Sequence, residues 1–149
     1  MLQTHGFLRR LSIAASLTLA VLGVLAPAAG LALEAQRYGD IPYLSGGIGT
    51  EEREQLEAQG RDYNLKLVLA RGDGAFVADV RIRINDRGGN PVLEAIAAGP
   101  WFYAKLPPGV YQVEAVLEGE SRRASVSVPG HAQARLVFHF GAPAPRGID

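Results

Sequence analysis

Residues 106–119 read LPPGVYQVEAVLEG, and the two parts of this stretch obey different rules. Pro107, Pro108 and Gly109 make a turn: Pro108 presets φ, and Gly109 is expected to supply a backbone conformation that other residues resist. From there the side chains alternate. Tyr111, Val113, Ala115 and Leu117 fall on one side, and Gln112, Glu114 and Val116 on the other. That period of two belongs to a β-strand with one buried face, so Tyr111 should enter a sheet pointing inward.

The same period recurs on both sides of this turn. In YNLKLVLAR, residues 63–71, Tyr63, Leu65, Leu67 and Leu69 share a face. In FVADVRIRIN, 76–85, Val80, Ile82 and Ile84 point inward and Arg81 and Arg83 outward. The segments 92–98, 101–106 and 122–128 are shorter strands, and in HAQARLVFHF, 131–140, Leu136, Phe138 and Phe140 oppose Arg135, Val137 and His139. Turn residues separate them: Arg71-Gly72-Asp73-Gly74, Asp86–Pro91, Gly99-Pro100, Gly119-Glu120 and Pro129-Gly130. Short strands with a turn every eight to twelve residues and no long helix imply an all-β fold, a seven-stranded antiparallel sandwich of Ig-like or prealbumin-like type over 63–140.

Before the sandwich, residues 33–62 read as a linker, a glycine loop and one short helix. Thr50 is the expected N-cap, Glu51 and Glu52 suit the positive end of the helix dipole, and Leu56 is nearly the only large apolar residue, so this helix needs a surface to lean on. Residues 1–32 carry Arg9 and Arg10, an apolar run from Leu11 to Leu25 and small residues at Ala26–Ala28 and Gly30–Ala32. This is the pattern of a secretory signal peptide, which implies a periplasmic or secreted protein; a retained membrane anchor is the alternative. The end, GAPAPRGID (141–149), reads as a flexible tail.

The chain has no cysteine, which excludes disulfides, thiolate catalysis and cysteine metal sites. Without Arg9 and Arg10, thirteen basic residues face fifteen acidic ones, a balance near −2 with no basic run. Nucleic acid is therefore not an expected partner. An exported domain of roughly 115 residues must then be held by its apolar core alone.

The run Leu106–Ala115 resembles the carboxypeptidase regulatory-like domain, whose pattern includes a segment of the type F-x-x-L-P-P-G-x-Y-x-V-x-A. Phe102 through Leu106 leads into that motif here, and Val80-Arg81-Ile82-Arg83-Ile84-Asn85-Asp86-Arg87-Gly88 is similar to its earlier element, V-x-V-x-D-x-x-G. The resemblance covers about 63–140. It implies a transthyretin-like (prealbumin-like) sandwich that does no chemistry itself and serves as an accessory, adhesive or interaction module in a small exported bacterial protein.

SGGIGTEE, 45–52, has a glycine-rich loop before a helix, as phosphate-binding loops do, but it lacks the Walker lysine, places glutamates where an anion would sit, and follows no apolar strand. His131 and His139 stand eight apart with no evident third ligand. Lys66 reads as a surface lysine, and Glu51, Glu52, Glu54 and Glu57 as a solvated helix face. No catalytic residue, metal site or cofactor is expected. Trp101 and Tyr103 remain: on a strand they share one face while Phe102 takes the other. If exposed, the pair could anchor another envelope protein or stack on a carbohydrate; if inward, it fills the core. The expectation is a non-catalytic domain that binds protein, with a carbohydrate-binding module using Trp101 and Tyr103 as the alternative.

Overall fold

A computed structural model of the chain describes residues 33–141. The expected export segment, 1–32, and residues 142–149 of the expected tail lie outside them. Within this range the fold is an all-β sandwich of two sheets with one helix. Its elements are β1 (Gln36–Tyr38), β2 (Ile41–Gly46), α1 (Thr50–Gly60), β3 (Leu65–Arg71), β4 (Val80–Asp86), β5 (Pro91–Ala97), β6 (Trp101–Ala104), β7 (Gly109–Leu117), β8 (Glu120–Val128) and β9 (Ala134–Phe140). Sheet A has the order β1-β2-β6-β3-β9 and sheet B the order β5-β4-β7-β8.

The described residues form nine strands rather than seven, because the stretch read as a linker supplies β1 and β2. Its apolar residues escaped the period-two reading because both of its faces are covered. Tyr43 faces the sandwich and stacks on Phe102 with ring centroids 5.3 Å apart, while the next residue, Leu44, is buried on the opposite side. Pro42 is tolerated in β2 because its carbonyl still serves the ladder, accepting from Lys105 N at 3.1 Å. The sandwich is also not wholly antiparallel. The first long strand, β3, pairs with the last, β9, in parallel register, Leu65 opposite Ala134 through Arg71 opposite Phe140.

Between the sheets lies the main core. The alternating residues meet there as their spacing predicts: Leu65, Leu67 and Leu69 from β3, Val80, Ile82 and Ile84 from β4, Tyr111, Val113, Ala115 and Leu117 from β7, and Phe138 and Phe140 from β9. A fully buried side chain of this size contributes roughly 1.5–3 kcal/mol, so these rows are what close the two sheets on each other.

A second, smaller core sits on the far face of sheet A. There α1 lays Leu56 onto Leu44 and Tyr103, with Leu33, Tyr63 and Trp101 packed at its margin. The helix has a single large buried side chain, so its place depends on this one contact and on the loop that delivers it. Gly47, at φ +98°, turns that loop. The N-cap is Gly49, whose carbonyl accepts from Arg53 N at 3.0 Å; Thr50, the expected cap, is the first helical residue, and no side chain caps this end.

The LPPG turn differs from expectation in one residue. Gly109 has no positive φ and opens β7, and a Cβ there would touch the Tyr111 ring at an ordinary 3.6 Å. What holds the corner is Tyr111 itself. Its ring is buried and its hydroxyl donates to the Pro107 carbonyl at 2.6 Å. Leu106 is buried beneath the turn while Pro107 and Pro108 are exposed.

Asn64 then ties this corner to the start of β9. Its amide nitrogen donates to Leu106 O at 2.6 Å and Pro129 O at 3.2 Å, its amide oxygen accepts from Leu106 N at 2.8 Å, and its own carbonyl accepts from Ala134 N.

Candidate functional site

Strand β6 decides where Trp101 and Tyr103 go. Its inward residues are Phe102 and Ala104, so Trp101 and Tyr103 point outward from sheet A. They share a face, as the sequence requires, yet they do not share an environment. Tyr103 lies under α1 and is 1% exposed, whereas Trp101, one turn of the pleat away, is half-buried beside Gly47 at the margin of the helix. A sugar-stacking pair needs both rings in solvent. The structure removes Tyr103 from that role and leaves Trp101 alone.

Trp101 has other company. Lys66, on the neighbouring strand β3, holds its Nζ 3.8 Å from the centroid of the indole and 5.2 Å from that of Tyr103. An ammonium over an aromatic face is worth about 0.5–1 kcal/mol where water still reaches it. Partial burial pushes the Lys66 pKa down, Arg135 adds to the fall, and Glu57 opposes it. Burial, and then the Glu57 carboxylate, push the Tyr103 phenol up to about 12, with Arg135 acting the other way. The Tyr103 hydroxyl has no hydrogen-bond partner among the described residues. Arg53 of α1 lies 4.8 Å from the ring centroid of Phe76, itself exposed.

Register extends the surface across sheet A. Trp101 is opposite Val68 of β3, and Val68 is opposite Val137 of β9. The result is an apolar row, Trp101–Val68–Val137, that begins at the margin of the helix-covered core and ends on the outermost strand. Val137 is 45% exposed. Lys66 and Arg135 flank the row on one side, and Ala70 and His139 on the other.

The outer face of sheet B is of a different kind. One row of side chains crosses all four of its strands in the order Glu94, Arg83, Glu114, Arg123. Arg83 Nε lies 2.9 Å from Glu94 Oε1, and Arg123 pairs with Glu114. A shallow hollow of about 420 Å³ lies beside this row, bounded also by Asn85 and Gln112. Its two guanidiniums already have carboxylate partners, so the face is a solvated lattice of compensated charge.

The glycine loop holds no empty anion site. The Glu52 carboxylate folds back into it: Ile48 N donates to Glu52 Oε2 at 3.3 Å, and a Cβ on Gly46 would strike Glu52 Oε1 at 2.2 Å. The chain's own anion therefore occupies the position that a phosphate would need. An apolar strand, β2, does precede the loop, contrary to the sequence reading. His131 lies in the connection between β8 and β9 and His139 on β9, both exposed, and among the described residues no group of three His, Cys, Asp or Glu is placed to hold a metal ion.

Sequence reasoning missed the Lys66–Trp101 contact because two strands far apart in the chain create it. The spacing of Lys66 and Val68 on one face of a strand was the available signal. No protein-family model matches the chain, and no curated protein is similar to it.

Proposed function

We propose that this chain is a non-catalytic exported β-sandwich, of the prealbumin-like build found in carboxypeptidase regulatory-like domains, that binds another protein of the cell envelope through the outer face of sheet A. The observation that carries the reading is the row Trp101–Val68–Val137. There an indole at the margin of the helix-covered core adjoins two aliphatic side chains in register. Tryptophan and arginine are side chains that protein interfaces concentrate. The leader-like pattern of 1–32 supports export, and the LPPG corner supports the family build.

The test is site-specific photo-crosslinking of the tagged full chain in its native envelope. A crosslinker at Val68 is expected to capture a discrete product, and Trp101→Ala is expected to abolish it, whereas a crosslinker at Gln112, on the outer face of sheet B, captures none. If Val68 and Gln112 give the same products, or if W101A changes nothing, the reading fails.

A further inference from the structure

Helix α1 is an excursion from sheet A. The chain leaves β2 at Gly46 and re-enters the sheet at Leu65, and these two strands lie on either side of β6. Both roots are fixed. Ser45 Oγ accepts from Ala98 N at 2.7 Å, the main chain of Gly46 lies so close to Gly99 that a Cβ there would fall 2.4 Å from Gly46 O, and Leu65 is paired with both Ala104 and Ala134. Between the roots the ties are few. Among the described residues no main-chain hydrogen bond joins residues 47–63 to either sheet. Gln133 Nε2 donates to Gly60 O at 2.8 Å and to Tyr63 O at 2.9 Å, and the Gln59 amide donates to Leu33 O and accepts from Leu33 N, each at 3.0 Å. All of these sit at the C-terminal end of α1. The N-terminal half has only Arg53 beside the Phe76 ring.

The apolar hold is equally narrow. Leu56 is the one large side chain that α1 buries, and Ile48 in the loop before it is exposed. Glu52 accepts from Ile48 N, which fastens the loop to the helix and not to the sheet. Closing the helix also shuts away the Tyr103 hydroxyl with no partner, a group that water would satisfy. By contrast β3, β4 and β7 each bury three or more apolar side chains between the sheets. Removing α1 breaks no strand pair, and a helix of 11 residues does not persist once it has left its surface.

We infer that residues 47–62 form a lid that opens as a unit while the sandwich stays folded, swinging from Gly47 and retained at the Gln133 clamp. Leu44 lies opposite Tyr103, and Trp101 stands two residues along β6 on the same face. Opening therefore bares Leu44 and Tyr103 beside Trp101, and the apolar surface of sheet A widens from one row to two. The lid goes beyond the reading above and holds whether or not a partner occupies that surface.

Because the chain has no cysteine, single introduced thiols in the full chain report the opening. Leu44→Cys lies under the lid and Val113→Cys lies between the sheets, both at buried positions. With a thiol-reactive dye in mild urea, L44C is expected to label at least about tenfold faster than V113C and with a shallower dependence on urea, since its opening exposes less surface than global unfolding does. Adding Ile82→Val weakens the sandwich equally with the lid open or closed. It should speed labelling of V113C by about 2- to 10-fold and leave L44C unchanged. Hydrogen exchange of the unmodified chain is the independent check: amides of Arg53–Gly60 should exchange through a smaller opening than those of β3 and β7.

Equal urea dependence for the two thiols, or an I82V effect of the same size on both, makes helix and sandwich one cooperative unit and overturns the lid. Helix amides as protected as those of β7 do so as well. Fast helix amides with L44C as slow as V113C mean that α1 frays in place, which also overturns it.

Discussion

Gly60 closes α1 directly against the Tyr103 ring: a Cβ at Gly60 would lie 2.3 Å from Tyr103 Cε1 and 2.6 Å from Cζ. The helix can sit on sheet A only because this position has no side chain. Helix propensity alone would favour alanine here by about 1 kcal/mol. Packing reverses the sign. Gly60→Ala is expected to lower stability by about 1–3 kcal/mol and to loosen α1, whereas Ala58→Gly, two residues earlier and exposed, should cost only the propensity difference. Urea denaturation of both variants, with protease cleavage in residues 47–62 as a local readout, checks this.

Asn64 gives a second prediction. Its side chain makes three hydrogen bonds to main-chain groups of the LPPG corner and the β8–β9 connection. Losing such bonds leaves part-buried carbonyls unpaired, at about 1–3 kcal/mol for each group fully deprived. Asn64→Ala should therefore destabilise by about 2–4 kcal/mol. Asn64→Asp keeps the shape but turns a donor into an acceptor facing Leu106 O and Pro129 O, so it should cost at least as much. An N64D variant as stable as wild type would show that the corner does not depend on this amide.

The third concerns alkaline pH. The Tyr103 phenol is raised from 10.0 to about 12, mainly by burial. Its contribution to stability is fully present below about 10 and is lost as the pH climbs to about 12, because the unfolded chain ionises first. Tyr63 and Tyr111 are raised too, burial leading in both, and act in the same direction. Lys66 has the opposite sign: its lowered pKa disfavours the ammonium in the fold, so its contribution improves as the pH approaches 10.5. Denaturant midpoints followed from about 9 to about 12 should fall for wild type and fall less for Tyr103→Phe. At neutral pH the same variant, by removing an unpartnered buried hydroxyl, should gain about 1 kcal/mol.

The alternation that builds the main core was legible wherever one face of a strand meets solvent. Val80, Ile82 and Ile84 against Arg81 and Arg83 is such a case, and the residues on each side are those that the period assigns. Strand β2 was illegible for the converse reason. With half-buried Tyr43 packed on one sheet face and Leu44 buried under the helix, the strand has no fully wet side to betray its period. The shared face of Trp101 and Tyr103 was readable from spacing, but their unequal burial was not, since it depends on where a helix about fifty residues upstream comes to rest. Asn64 gave no local sign either: its three partners lie 42 and 65 residues away.

The β3–β9 ladder has a consequence for how the molecule comes into being. It unites positions 65–71 with 134–140, so the first long strand to leave a ribosome waits for the last. A nascent chain halted before Ala134 has Leu65, Leu67 and Leu69 but lacks the wall that flanks them, and closing so long a loop is a slow step. Sheet A is thus finished only once Ala134–Phe140 has been made, and until then the polypeptide has every reason to remain open.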